Sequence, residues 1–226
     1  MAQKTLLQIL QGVGAYVDQD RTAPTGTDEL GRVELVDQAL TEWGNAYQWK
    51  QLRNQSPVTF VFSGTSFALD IRFKKLMSQI VDVTKQDANE YVEIEPQERF
   101  SRASLSRGTS LSNRFVYIIG NDVTGRALVL SPALPSGASL NYDWQAFPSS
   151  MATLTDICVC PHPEFIIKRT IGLILETRSD TRFPQVKADA DTLLARMIEE
   201  EQSSSLGENN RIQDWARQAN YSVGFD

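Results

Sequence analysis

Apolar residues near the amino terminus recur at helical spacing. Leu6, Ile9, Leu10, Val13 and Val17 fall on one stripe. After a loop holding Pro24 and Gly26, a second stripe runs through Val33, Val36, Leu40, Trp43 and Tyr47 to about Leu52, with Thr27 or Asp28 placed to cap it. The two stripes predict antiparallel helices that bury each other. After Arg53 the period changes to alternation. In PVTFVFSGTSFALDI, Val58, Phe60 and Phe62 alternate with Thr59 and Val61, and Ser63-Gly64 supplies turn chemistry, so a hairpin is predicted. LMSQIVDVT, EYVEIEP, RFVYIIGND, RALVLSP and SLNYDWQAF add five more strands between Gly and Pro turns. About seven short strands at this spacing predict a small antiparallel sandwich or barrel.

Helical period returns at the end of the chain. HPEFIIKRTIGLILETR places Pro163 at a first helical position and aligns Ile166, Ile167, Ile171, Ile174 and Leu175. FPQVKADADTLLARMIEEEQ repeats the signal with Pro184 and aligns Val186, Ala190, Leu193, Leu194, Met197 and Ile198. SSSLGENN then breaks the pattern. The expected fold class is α+β. Residues 1–55 and 162–202 form a helical bundle, residues 56–161 an inserted antiparallel β sandwich or barrel, and residues 203–226 an extended C-terminal arm.

Composition narrows the function classes. The 226 residues are 41% hydrophobic and 22% charged, which suffices for a core. A net charge of -6 and a pI of about 4.9 speak against a general electrostatic grip on nucleic acid, because neutralising phosphates takes clustered cations. Gln8, Gln11, Gly12 and Gly14 interrupt the first apolar stretch, so no signal-peptide pattern is present, and no window nears the roughly 18 apolar residues of a membrane span. Two cysteines do not make a disulfide scaffold. The expectation is a protein made in a cytoplasm, with no membrane partner.

Both cysteines and the single histidine lie in CVCPHPEF. Cys158 and Cys160 end a predicted strand, TDICVC, with side chains about 7 Å apart on one face, farther than tetrahedral zinc would hold two thiolates. Pro161 and Pro163 limit backbone bending there. The stretch reads as a joint that returns the chain to the helices, with both cysteines as small core residues and His162 beside a helix N-cap; no metal, cofactor or catalytic residue is expected. A triad would have to run through His162, and no Gly-x-Ser-x-Gly, Walker or Gly-x-Gly-x-x-Gly motif occurs. Scattered carboxylates leave a metal-dependent or hydrolytic enzyme as the rival class.

Trp43 and Tyr47 fall on the core stripe, whereas Trp49 falls off it and is expected to cover the edge of the β insertion. Arg99, Arg102, Arg107 and Arg114 stand among serines in ERFSRASLSRGTSLSNR. This stretch reads either as a mobile loop touching DNA or a neighbouring subunit, or as a long solvated connection. Beyond the serines, RIQDWARQANYSVGFD keeps Arg211, Ile212, Trp215, Tyr221 and Phe225. Large aromatics are disfavoured on a frayed terminus, so the tail reads as an arm anchored in a partner.

The succession of elements resembles the head-to-tail adaptor proteins of tailed bacteriophages, in particular those of short-tailed phages. The resemblance rests on ALTEWGNAYQWKQLRNQSPVTFVFSGTSFALDI, on RFKKLMSQIVDV, on RALVLSPALPSGASLNYDW and on PHPEFIIKRTIGLILETRSDTRFPQVKADADTLLARM, taken in order along nearly the whole chain. Two features depart from it: DIRFKK stands where a Leu-Pro pair is common, and the Arg/Ser-rich stretch has no counterpart. The resemblance implies a non-enzymatic virion protein of the neck. It would form a ring of neighbouring copies, twelve by the portal's symmetry, that extends the channel for double-stranded DNA. Its C-terminal arm would dock on the portal protein, and tail or nozzle proteins would attach below. Another neck or tail-completion component, of stopper or nozzle type, is the alternative.

Overall fold

In the computed structural model the described residues are 3–22, 25–59, 64–83, 89–93, 114–121, 124–134 and 137–221. The chain divides into two compact units, Leu52–Phe147 and a helical unit of Met1–Gln51 with Pro148–Asp226. The stretch from Pro148 to Cys160, expected in the β part, thus belongs with the helices. Met151 N–H donates to Asp37 Oδ1 there, at 2.9 Å.

Four helices occur among the described residues: α1 (Leu6–Val17), α2 (Thr27–Ala46), α3 (Pro163–Thr177) and α4 (Phe183–Tyr221). The helix α3 is apolar around most of its circumference, and Phe165, Ile166, Ile167, Thr170, Ile171, Leu173, Ile174 and Leu175 are all buried. A helix with so wide an apolar surface must be covered on several sides. Accordingly α1, α2 and α4 all pack on α3. This differs from the expected pairing of α1 with α2, because each of their stripes has a more apolar partner in α3. Ile9, Leu10 and Val13 of α1, and Val36, Ala39, Leu40 and Trp43 of α2, are essentially inaccessible. Each such aliphatic side chain contributes about 1.5–3 kcal/mol on burial. Close approach depends on Gly12, where an added Cβ would stand 3.0 Å from Ile167 Cδ1.

The helix ends follow from local chemistry. Thr5 and Gln8 form a capping box at α1. The next free amides, Leu6 and Leu7, donate to the carbonyls of Asp156 and Leu154 at 2.9 and 3.1 Å. At α2 the N-cap is Gly26, not Thr27 or Asp28, and Asp28 and Glu29 occupy the first turn, where the helix dipole favours acids. The other end of α2 is closed by Trp49. Its Nε1 donates to the Trp43 carbonyl at 2.6 Å and its ring stacks on Trp43 with centroids 5.2 Å apart. Trp49 is therefore core of the helical unit, where a helix-terminal carbonyl needs a donor. A two-point ion pair between Arg169 and Glu42 ties α3 to α2.

The expected break after residue 202 is absent from the backbone: α4 continues through 203–210 to Tyr221. Serine and asparagine lose only about 0.5–0.7 kcal/mol against alanine in a helix and Gly207 about 1 kcal/mol, and no proline intervenes. The packed turns before Glu201 supply the nucleus, so extension adds residues without a new nucleation step.

The other unit carries β1 (Arg53–Thr59), β2 (Gly64–Ala68), β3 (Phe73–Leu76), β4 (Ile80–Asp82), β5 (Asn89–Glu93), β6 (Phe115–Asn121), β7 (Gly125–Leu134) and β8 (Ser139–Ala146). The strand order is β1-β8-β4-β5-β6-β7-β2, with β3 also on β8. All pairs are antiparallel except β5 with β6, so the sheet is mixed and not the all-antiparallel one expected. Nor do β1 and β2 form a hairpin. β1 pairs with β8 and β2 with β7, and Thr59↔Ser139 and Gly64↔Leu134 share one register. The register then shifts between Gly64 and Ser66, where β2 carries an irregularity.

This topology requires curvature. Six strand spacings would set β1 and β2 about 29 Å apart in a flat sheet, whereas Thr59 and Gly64 are joined by at most about 18 Å of chain. The sheet is accordingly curled into a half-barrel. Its concave core holds Phe73, Ile80, Tyr91, Val116, Leu128, Leu130, Leu140, Tyr142 and Trp144, with Phe73 stacked on Trp144 at 5.8 Å. Pro57 is tolerated because β1 lies at the end of the strand order, where a missing N–H breaks no ladder.

Two substitutions test this account. Gly120 has φ +92°, and a Cβ there would meet the Gly125 carbonyl oxygen at 2.1 Å. Gly120→Ala should therefore destabilise the β unit by about 1–3 kcal/mol in urea denaturation. Thr170 is fully buried and its hydroxyl has no partner among the described residues. Thr170→Val should raise the stability of the helical unit by about 1 kcal/mol in the same measurement.

Candidate functional site

At CVCPHPEF the structure shows a joint built around the start of α3. No strand forms over TDICVC among the described residues; an isolated bridge joins Ile157 to Thr5, and Cys158 N–H donates to the Lys4 carbonyl at 3.0 Å. Pairing with the chain before α1 uses up the local donors, so a longer ladder has nothing to pair with. Cys158 and Cys160 are free thiols with no exposure. Burial pushes the Cys158 thiol up, and Cys160 farther. Cys160 Sγ donates to the His162 carbonyl at 3.4 Å. His162 is the N-cap of α3 without a side-chain capping bond, and its Nε2 lies 3.2 Å from Glu200 Oε2. Among the described residues no group of three or more His, Cys, Asp or Glu is placed to hold a metal ion.

Of the arginine set, Arg99, Arg102 and Arg107 lie outside the described residues. Arg114 stands just before β6 and is committed inside the β unit. Its Nη1 is 3.2 Å from Asp82 Oδ2 and its guanidinium lies over the Tyr91 ring at 5.6 Å. Asp82 is buried, and a buried carboxylate needs a paired cation. Burial raises the pKa of the Tyr91 hydroxyl, and the Arg114 charge opposes that rise. Arg114 thus pins the start of β6 to Asp82 and Tyr91.

The tail residues Arg211, Ile212, Trp215 and Tyr221 fall on the last turns of α4, and Phe225 lies outside the described residues. The α4 helix runs antiparallel to α3: Lys168 pairs with Asp189 at 3.1 Å and His162 with Glu200 at 3.2 Å. Lys50 N–H meets Glu201 at 2.9 Å. The helix then continues from Glu201 to Tyr221, about 30 Å at 1.5 Å per residue, past the start of α3. Trp215 follows Met197 by five helical turns, so it shares the register of Val186, Ala190 and Met197, which are buried. Ile212 and Ala219 fall beside it, whereas Tyr221 falls on another side of the helix. By backbone register alone, two of the expected anchors, Ile212 and Trp215, fall at neighbouring positions round the helix and Tyr221 at another.

No protein-family model matches the chain, and no curated protein matches it in sequence. No helix among the described residues is long and apolar enough to cross a membrane.

The joint yields one prediction. In the native protein both thiols should react with an aromatic disulfide reagent at least about 100-fold more slowly than a free cysteine, and both should react at once in denaturant. Rapid native labelling would show that the joint opens.

Proposed function

We propose that this chain is a non-enzymatic virion subunit of the head-to-tail adaptor kind, which assembles as a ring beneath the portal and continues the DNA channel towards the tail. One observation carries the reading: α4 outruns the helix it packs on by about 20 residues, and the overrun keeps Ile212, Trp215 and Ala219 in the register of the buried stripe. Among the described residues α3 does not extend alongside this overrun, and a helix that keeps apolar residues in one register suits a helix-in-groove contact. The portal is the partner that the resemblance names for this segment.

The β insertion between two helical segments supports the same reading, since it matches the order of elements on which the resemblance rests. So does the charge. A net charge of -6 suits a passage that double-stranded DNA must slide through, because a cationic lining would hold phosphates. Twelve copies follow from the portal's symmetry within this proposal, with tail or nozzle proteins below the ring.

Removing residues 203–226 should leave a folded chain by circular dichroism that no longer co-sediments with purified portal. In the full-length protein, Trp215→Ala should weaken that binding by about tenfold or more. Unchanged binding of both variants would overturn the docking role, and density for this chain anywhere but the neck in virion micrographs would overturn the adaptor reading.

A further inference from the structure

The turn between β2 and β3 is built as a rigid projection. Leu69 N–H donates to the Arg126 carbonyl at 2.9 Å, Arg72 N–H to Asp70 Oδ1 at 2.8 Å and Phe73 N–H to the Asp70 carbonyl at 2.9 Å. Phe147 N–H donates to the Arg72 carbonyl at 2.6 Å, and Arg126 Nη1 to the carbonyls of Phe73 and Lys74 at 3.2 and 2.9 Å. Every residue flanking Ile71 is thereby tied down, while Ile71 is 89% exposed. Turn tips ordinarily take Gly, Pro, Asn or Asp, and a lone exposed aliphatic residue has no meaning by itself. This one differs in its fixed support and in its cations, Arg72, Lys74 and Lys75. Burial and then the Lys75 charge lower the Lys74 pKa. Asp70 pairs with Arg72 at 3.5 Å, which leaves the tip positive.

The charge of the chain is divided between its units. Leu52–Phe147 holds 10 Lys and Arg against 9 Asp and Glu, net +1, whereas the helical unit holds 12 against 19, net -7. The helical unit also exposes Ile157 (60%) and Leu154 (36%) on either side of Asp156. The Thr153 hydroxyl and amide hold the Asp156 carboxyl below the usual range, so it stays ionised. This strip is fixed in turn, since Asp156 and Leu154 accept the first amides of α1.

We infer that the Ile71 turn of one copy seats on the Leu154–Ile157 strip of a second copy. The isoleucine fills the space between the two apolar side chains, and Arg72 and Lys75 face Asp156 and the acidic helical unit. Both surfaces are preorganised, so little side-chain and loop entropy is lost on contact. Knob and strip are different surfaces, so the contact is heterologous and passes from copy to copy, as ring assembly demands. The inference deepens the adaptor proposal and rests on it for closure into a ring.

The test uses the full chain with Ile71→Cys and Ile157→Cys introduced separately; the two native thiols are buried and do not compete. On mild oxidation of a mixture, the covalent pair between the two variants should form several-fold faster than either homodimer. Sedimentation should show association that weakens about tenfold in Ile71→Asp and also as salt rises from ~50 to ~500 mM, with an unchanged melting temperature for the variant. Monomers at all concentrations, association indifferent to Ile71→Asp, or no preference for the mixed pair would each overturn the contact. So would retained association in Lys74→Glu/Lys75→Glu together with lost binding to a DNA duplex, which would make the knob a nucleic-acid contact. A chain that joins the portal without this self-contact overturns the inference alone; one that self-associates as described but never joins the portal overturns the adaptor reading alone.

Discussion

The helical unit depends on covering α3 from several sides. A 15-residue helix that is apolar around most of its circumference cannot be left beside water, and its neighbours are arranged to prevent that. Gly12 lets α1 approach Ile167, and Arg169 carries one of the few charges on α3 out to Glu42. The capping of α2 by Trp49 and of α1 by the strip from Leu154 to Asp156 are secondary to this demand. They satisfy polar backbone groups that close packing would otherwise strand.

The β unit obeys a constraint of chain length. β1 pairs with β8 and β2 with β7, in one register from Arg53↔Gln145 to Gly64↔Leu134 and in a shifted one from Ser66↔Val129 onward, and β4, β5 and β6 stand between β8 and β7 in the strand order. Curvature follows, and it creates the concave face where Phe73, Tyr91 and Trp144 gather. Ser78 shows how the break between β3 and β4 is repaired. Its hydroxyl accepts the Asp143 N–H at 2.8 Å where the ladder is interrupted.

The helices and most strands were legible in the sequence because their periods of 3.6 and 2 are local properties. What was illegible was pairing. Ser63-Gly64 carries turn chemistry in the sequence, and only Thr59↔Ser139 with Gly64↔Leu134 shows that β1 and β2 pair with other strands and not with each other. Trp49 lay off the α2 stripe, and its role as a cap depends on a chain reversal that no periodicity encodes. The serines at 203–205 favoured a break by propensity, yet helix already formed upstream outweighs differences of a few tenths of a kcal/mol per residue. Of the candidate site, the pairing of Arg114 could not be read without seeing Asp82. The exposure of Ile71 has a trace in DIRFKK, where an isoleucine stands between an acid and three cations.

The insertion of one unit into the other has a consequence for biosynthesis. The ribosome releases α1 and α2 early, but α3, the surface they cover, begins at Pro163, more than a hundred residues after Ala46. At translation rates of about 5–20 residues per second the stripe of Val36, Leu40 and Trp43 waits roughly 6–25 s for its partner. The contiguous β unit meanwhile has its described strands in one stretch of chain, so its pairing does not wait for α3, whereas the burial of the α1 and α2 stripes does.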